Sequence, residues 1–137
     1  MKMLAWIGAL GVAGALAAAG QVAQAGPAGP AKPASSCFFT RDIRNHTISG
    51  NSTLYLNVLG RSTYRVEMSG ACFAGATSSD PLVIRNPPGS NQVCRPIDFD
   101  VGVHVGGHGG MTTRCIVKSI TPMTPAEVAA LPKRLRP

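Results

Sequence analysis

Two histidines, His104 and His108, flank a glycine-rich stretch and are the residues best suited to metal chemistry in this chain. Neutral imidazole binds copper, nickel and zinc. On a straight strand the two residues would be about 13 Å apart, at 3.3 Å per residue, so a shared ion requires that Gly106 and Gly107 fold the chain back. The alternative is a hairpin loop with two exposed histidines. His46 could join such a site only through a tertiary contact.

Two carboxylates, Asp98 and Asp100, are the best candidates for general acid–base chemistry. They would share one face of a predicted strand, about 6.6 Å apart. Catalysis by paired carboxylates requires that two of the six acidic residues converge in a cleft. The sequence also contains no G-x-S-x-G nucleophile elbow. We therefore predict that the protein is not an enzyme and carries no cofactor.

Arginines in the first half of the mature chain, Arg41, Arg44, Arg61 and Arg65, are candidates for a face that binds anionic partners. The formal charge is +7, and loss of Lys2 with the N-terminal segment lowers it to +6. A basic exported protein can adhere weakly to anionic envelope polymers. The arginines are scattered and are not interleaved with aromatic residues, so we predict no specific nucleic-acid interface.

The N-terminal segment has the three parts of a secretory signal peptide. A positive start at Lys2 precedes an apolar run, and Ala23-Gln24-Ala25 then gives a small-x-small cleavage pattern. We predict a signal peptide over residues 1–25, cleaved after Ala25, and a disordered Pro/Gly/Ala linker over residues 26–36. The mature protein would be periplasmic or secreted, without a transmembrane segment.

Four cysteines, Cys37, Cys72, Cys94 and Cys115, all lie in the mature region. An even number in an exported chain indicates two disulfides, with three connectivities open. No pair has the C-x-x-C spacing of a zinc or redox site. Of the three connectivities we favour Cys37–Cys115, joining the first and last strands, together with Cys72–Cys94.

The mature chain has the hydrophobic period of β-strands, close to 2. Residues 53–59 alternate cleanly, with Leu54, Leu56 and Val58 on one face, and a turn at residues 60–62 leads into a second alternating strand. Residues 97–105 carry an apolar stripe at the odd positions, from Ile97 to Val105. Residues 113–120 are predicted as the last strand.

The pattern predicts an all-β fold of five to six short strands, as a small antiparallel barrel or sandwich of the OB-like or SH3-like kind. Closure would remove exposed strand edges. We place the β domain at residues 37–122 and a short helix with a basic tail at residues 123–137. Thr124 is predicted as the helix N-cap, followed by Pro125 and, three residues after the cap, Glu127.

The mature region also resembles a family of small exported bacterial proteins catalogued as a domain of unknown function. The resemblance covers Cys37 to about Leu131. It is carried by Arg41-Asp-Ile-Arg44 after Cys37, Tyr64-Arg-Val, Ser69-Gly-Ala-Cys72, Cys94-Arg-Pro-Ile-Asp98, Arg114-Cys115-Ile and Ile120-Thr-Pro-Met-Thr-Pro. The resemblance implies export and a single fold, and it implies no activity.

The sequence leaves two functions of different classes. The first is a non-catalytic binding or structural role at the cell envelope, in which the four arginines meet an anionic partner. The second is metal binding through the His104/His108 loop.

Overall fold

The computed structural model describes residues 37–86, 89–106 and 109–137. The predicted signal peptide (1–25) and linker (26–36) lie outside the described residues and stay predictions, as does the placement of His108. Strands dominate the described part, and they are β1 (Phe38–Phe39), β2 (Ile43–Ser49), β3 (Thr53–Val58), β4 (Ser62–Met68), β5 (Leu82–Arg85), β6 (Gln92–Val93), β7 (Asp100–Val105), β8 (Met111–Arg114) and β9 (Val117–Met123). One α-helix follows, α1 (Pro125–Ala130).

Three small antiparallel sheets make up the fold. Their strand orders are β2-β3-β4-β9, β5-β7-β8 and β1-β6. The all-β prediction is confirmed, but the described strands do not close into a barrel. The predicted last strand, residues 113–120, is divided into β8 and β9 by a break at Cys115–Ile116. Because of this break, one continuous stretch of chain pairs first with β7 and then with β4.

The core forms where the alternating faces of the two larger sheets meet. Leu54, Leu56 and Val58 are buried, as their spacing predicts, and they pack in one cluster with residues of β4 and β7. Phe38 adds its ring against Tyr64, with the ring centroids 4.8 Å apart. The hydrophobic period of β3 therefore marks the face that packs into the core.

The predicted stripe on residues 97–105 is correct except at its first residue, and Val105 at its end is partly buried against the core. Phe99, Val101 and Val103 are buried, but Ile97 is 82% exposed. The chain forms a 3-10 turn at Pro96–Asp98 instead of a strand, and this turn points the Ile97 side chain to solvent. Asp98 holds the turn by accepting hydrogen bonds from the main-chain N–H groups of residues 94 and 95.

Gly102 lies where β7 and β8 approach most closely. A Cβ atom built on this residue would lie 2.0 Å from the main-chain oxygen of Thr113 on β8. A side chain at this position would therefore force the two strands apart.

The edge strand β2 contacts the segment before β5 through side-chain hydrogen bonds. The N–H group of Ile48 donates to Oγ of Ser78 (2.9 Å), and Nε2 of His46 lies 3.1 Å from the main-chain oxygen of Asp80. Both partners belong to the segment that leads into β5. Hydrogen bonds that involve side chains therefore hold β2 to this segment, where a closed barrel would have a main-chain strand pair.

The disulfides join Cys37 to Cys94 and Cys72 to Cys115. All four cysteines are oxidised, but the favoured pairs Cys37–Cys115 and Cys72–Cys94 are wrong.

Strand pairing explains the observed connectivity. Cys37 immediately precedes β1 and Cys94 immediately follows β6, and these strands pair antiparallel with Phe38 opposite Val93. The two cysteines therefore meet at one end of the short ladder. Cys72 follows β4, whose partner β9 begins just after Cys115.

The C-terminal segment crosses the outer face of the four-stranded sheet. The predicted cap of α1 is confirmed, because Oγ1 of Thr124 accepts a hydrogen bond from the N–H of Glu127, and the Glu127 carboxylate accepts one from the N–H of Thr124. Farther on, Oγ1 of Thr47 donates to the main-chain oxygen of Leu135 (2.6 Å). Tyr55 is buried although it lies on this outer face.

Candidate functional site

A basic tip lies at the end of the β3–β4 hairpin, and we define it as Phe39, Arg41, Arg44, Leu59 and Arg61. The N–H of Leu59 donates to the main-chain oxygen of Asp42 (2.9 Å), which brings the hairpin turn against the 3-10 turn Thr40–Asp42. Arg44 occupies an irregularity in β2 next to the Ile43–Val58 pair. Tertiary structure therefore brings together three arginines that are up to 20 positions apart in sequence.

Positive charge exceeds negative charge at this tip. The Asp42 carboxylate lies 4.0 Å from Nε of Arg41, whose side chain stays mostly exposed. The Arg41 guanidinium also lies 4.9 Å from the centre of the Phe39 ring, within the range of a cation–π contact. Arg44 and Arg61 are both exposed, and neither forms an ion pair with any described residue.

Arg65, the fourth predicted member of the anion-binding face, lies elsewhere. It is three residues beyond Ser62 on β4, about 10 Å farther along the strand. Its Nε is 3.5 Å from the Glu67 carboxylate. It also adds to the hydrogen bonds from Thr124 that lower the pKa of Glu127. Arg65 therefore offsets the charges of Glu67 and Glu127 on the sheet face under the C-terminal segment.

The turn that forms the tip has unusual residues for its conformation. Leu59 and Gly60 both have positive φ, 54° and 73°, and the N–H of Arg61 donates to the main-chain oxygen of Val58 (3.2 Å). These are the features of a type I′ turn, which favours Asn, Asp or Gly at its first central position. The turn predicted at residues 60–62 begins one residue earlier, so Leu59, predicted as the end of the strand, belongs to the turn. The register pairs Val58 with Ser62, so Leu59, Gly60 and Arg61 form a three-residue loop, and the glycine within it is the sequence signal of the turn.

His46 and His104 lie away from the tip. The ring atom Nδ1 of His104 is 2.9 Å from Oγ1 of Thr112. The main-chain N–H of His104 donates to the main-chain oxygen of Pro81 (3.0 Å). His46 contacts the adjacent residue, Asp80, through its ring. Burial lowers the pKa of His46, partly offset by this hydrogen bond. His108 lies outside the described residues, within which no group of three or more metal-binding side chains occurs.

The two candidate carboxylates do not share a face. Asp98 is bonded by the Arg95 side chain, which lowers the pKa of the carboxyl group and raises that of the guanidinium. Asp100 lies between Nη1 of Arg85, 3.9 Å away, and the guanidinium of Arg114, whose Nε donates to it at 3.1 Å. The strand geometry predicted for the pair is wrong because Asp98 belongs to the 3-10 turn before β7. Each carboxylate is engaged by arginine.

A shallow apolar groove of about 410 Å³ lies between the 3-10 turn Pro96–Asp98 and the break between β8 and β9. Ile97 and Ile116 form its exposed walls, and Ile116 is 71% exposed. The Asp100–Arg114 ion pair closes one part of it. The charges here are balanced, in contrast to the tip.

No family model, curated protein or solved structure matches this chain. The resemblance to the exported bacterial family therefore stays a prediction. Within the described residues, no helix has the length and apolar character needed to cross a membrane.

Proposed function

We propose that the protein is an exported, non-catalytic domain that binds anionic groups of the cell envelope through its basic tip. One observation carries the proposal: Arg41, Arg44 and Arg61 converge on one end of a hairpin where Asp42 is the nearby carboxylate. Convergence of like charge is unfavourable for folding because the charges repel each other, and the single carboxylate of Asp42 does not balance three arginines. An anionic ligand would relieve that repulsion.

Several other arginines of the domain are already engaged, which favours the tip over the parts of the surface where they lie. Arg95 pairs with Asp98, and Arg114 pairs with Asp100. The guanidinium of Arg136 donates to main-chain oxygens near the end of α1. An anion that approached these side chains would have to displace an existing partner, whereas Arg44 and Arg61 have no ionic partner among the described residues to displace.

The tip is held in shape before any ligand binds. The N–H of Gly60 donates to Oδ1 of Asn57 (2.8 Å), and the N–H of Leu59 donates to the main-chain oxygen of Asp42. The two disulfides limit unfolding of the domain that carries it. A fixed binding surface loses less conformational entropy on association. Disulfides also fit the oxidising compartment that the predicted signal peptide implies.

Binding to dextran sulfate, a soluble polyanion, tests the proposal. We expect binding that weakens as salt rises, because the contacts are between exposed charges. Replacing Arg44 and Arg61 together by Gln should abolish most of the binding. Arg61→Gln removes one positive charge at the tip. Its matched control is Lys118→Gln, which removes one positive charge from β9 beside the far end of β4.

The expected order is a larger loss for Arg61→Gln than for Lys118→Gln. Equal losses would show attraction to net charge alone and would contradict a specific site at the tip. Binding that does not change with salt would also contradict it.

Metal binding through His104 and His108 is the second candidate. The observation in its favour is that His104 and His46 both contact the Asp80–Pro81 segment, so two of the three histidines approach one stretch of chain. Calorimetric titration with copper or zinc tests it. The double variant His104→Ala/His108→Ala should abolish metal binding. Weaker metal binding in the single variant His46→Ala would identify His46 as a third ligand. Unchanged binding in the double variant would reject this candidate.

A further inference from the structure

Leu59 adopts a backbone conformation that its side chain disfavours. Among the described residues it is the one non-glycine residue with positive φ. For an L-residue, the left-handed region is unfavourable because the Cβ atom comes too close to the following carbonyl oxygen. Asn and Gly reduce that cost, and they are the residues usually found at this turn position. The protein therefore carries leucine at a position where the fold alone would favour a polar residue.

Packing does not compensate for this choice in full. Leu59 is 44% exposed, so a large part of its side chain contacts water. The hydrogen bond to Asp42 uses the main-chain N–H, which Asn at this position would also provide. Backbone strain together with an exposed apolar side chain is the combination found where a residue serves binding.

The surroundings of Leu59 indicate what it binds. Arg61 follows it by two residues, Arg44 lies beside the end of β3, and Arg41 is next to Asp42. Phe39, 38% exposed, supports the Arg41 guanidinium. The apolar residue thus lies at the end of a hairpin with cationic side chains around its base. This is the charge pattern that complements an anionic lipid surface, in which phosphates overlie hydrocarbon.

We propose that the anionic partner of the tip is a lipid bilayer, with Leu59 entering the boundary between headgroups and acyl chains while Arg41, Arg44 and Arg61 contact lipid phosphates. This inference rests on the proposed function and adds the class of partner. A soluble polyanion uses only the arginines and gains nothing from leucine. One apolar side chain alone binds membranes weakly, so the basic residues supply the second contribution that peripheral binding requires.

Co-sedimentation with vesicles tests the proposal, using the processed protein with its disulfides intact. Phosphatidylcholine vesicles with and without phosphatidylglycerol are compared. We expect binding only when the anionic lipid is present, and a loss of about fivefold for each of Arg44→Gln and Arg61→Gln. Leu59→Asn should reduce vesicle binding roughly threefold or more while leaving dextran sulfate binding unchanged.

Leu59→Asn is a favourable variant because Asn suits the type I′ turn, so its melting temperature should equal or exceed that of the unmodified protein. Ile97→Asn is the matched control, since it removes a more exposed apolar side chain outside the tip and should not change vesicle binding. Equal vesicle binding by Leu59→Asn and the unmodified protein would overturn the inference.

A tryptophan reporter gives an independent measurement. Trp6 is the sole tryptophan of the chain and would leave with the signal peptide, so a tryptophan introduced by Leu59→Trp would be the only one in the processed protein. Its emission should shift to shorter wavelength with anionic vesicles and not with dextran sulfate. Ile97→Trp should show no shift.

The two proposals fail separately. If dextran sulfate and vesicles are bound without dependence on Arg44 and Arg61, or not bound at all, the basic tip is not a binding site and both proposals are rejected. If both are bound through these arginines but Leu59→Asn and the tryptophan reporter show no effect, the anion-binding function stands and the lipid partner is rejected.

Discussion

Nε2 of His46 lies 3.1 Å from the main-chain oxygen of Asp80, and this contact joins β2 to the segment before β5. A carbonyl oxygen only accepts, so the ring donates from Nε2. Burial lowers the pKa of His46 from its usual 6.5, and the hydrogen bond to Asp80 offsets this in part. The contact between β2 and this segment therefore includes a group whose pKa the fold lowers.

Protonation of His46 should weaken the fold as the pH falls below about 6.5. The unfolded chain takes up a proton at that pH while the folded protein resists it, so the free energy of unfolding decreases between 6.5 and the lower folded pKa. The Asp80 carboxyl does not titrate in this range because hydrogen bonds from Thr77 lower its pKa below 3.8. His104, whose main chain bonds Pro81, also lies near and needs its own variant.

Urea unfolding at about pH 7.5, 6.5 and 5.5 measures this effect. His46→Gln, which keeps an N–H donor for Asp80, should remove most of the decrease over this range. His104→Gln is the comparison and should keep it. A decrease that persists unchanged in His46→Gln would assign the effect to another group.

The disulfide connectivity should be recovered by peptide mapping without reductant. We expect fragments joining Cys37 to Cys94 and Cys72 to Cys115. Replacing either pair by serine should cost about 4 kcal/mol of unfolding free energy, since loops of 57 and 43 residues give nearly the same entropy. A fragment containing Cys37 bonded to Cys115 would contradict the structure.

Two residues of the apolar stripe should respond differently to truncation. Val101 is fully buried, and Val101→Ala should cost about 2 kcal/mol through lost burial and a cavity. Ile97 is exposed, so Ile97→Ala should change the unfolding free energy by less than about 0.5 kcal/mol. Chemical denaturation of both variants measures the difference. Equal losses would mean that Ile97 belongs to the core after all.

The C-terminal segment should shield the outer face of the sheet. Deleting residues 124–137 removes the acceptor for Thr47 and should expose Tyr55, which is buried in the intact domain. Quenching of tyrosine fluorescence by acrylamide should therefore increase. Tyr64, in the core, should contribute little to the change because it faces the opposite side of β4 from the deleted segment. Unchanged quenching would show that Tyr55 is covered by other parts of the chain.

Local sequence was sufficient where burial is regular. The alternation of Leu54, Leu56 and Val58 fixed the inner face of β3, because successive side chains of a strand point to opposite sides. The Thr124–Glu127 box fixed the start of α1, because its hydrogen bonds join residues three positions apart. The same reasoning failed at Ile97, where Pro96 and the Asp98 side chain favour a 3-10 turn that a hydrophobic period does not reveal.

Sequence by itself determined the class of fold, the oxidation of all four cysteines and the position of the terminal helix, since each depends on composition or on residues close together in the chain. Only tertiary structure decided which cysteines pair, that Arg44 and Arg61 share one end of the sheet while Arg65 does not, and that His46 meets Asp80. These relationships depend on strand register and on which edges approach each other. Within a hairpin the turn and the hydrophobic pattern set the register, but contacts between segments far apart in the sequence depend on how whole sheets pack.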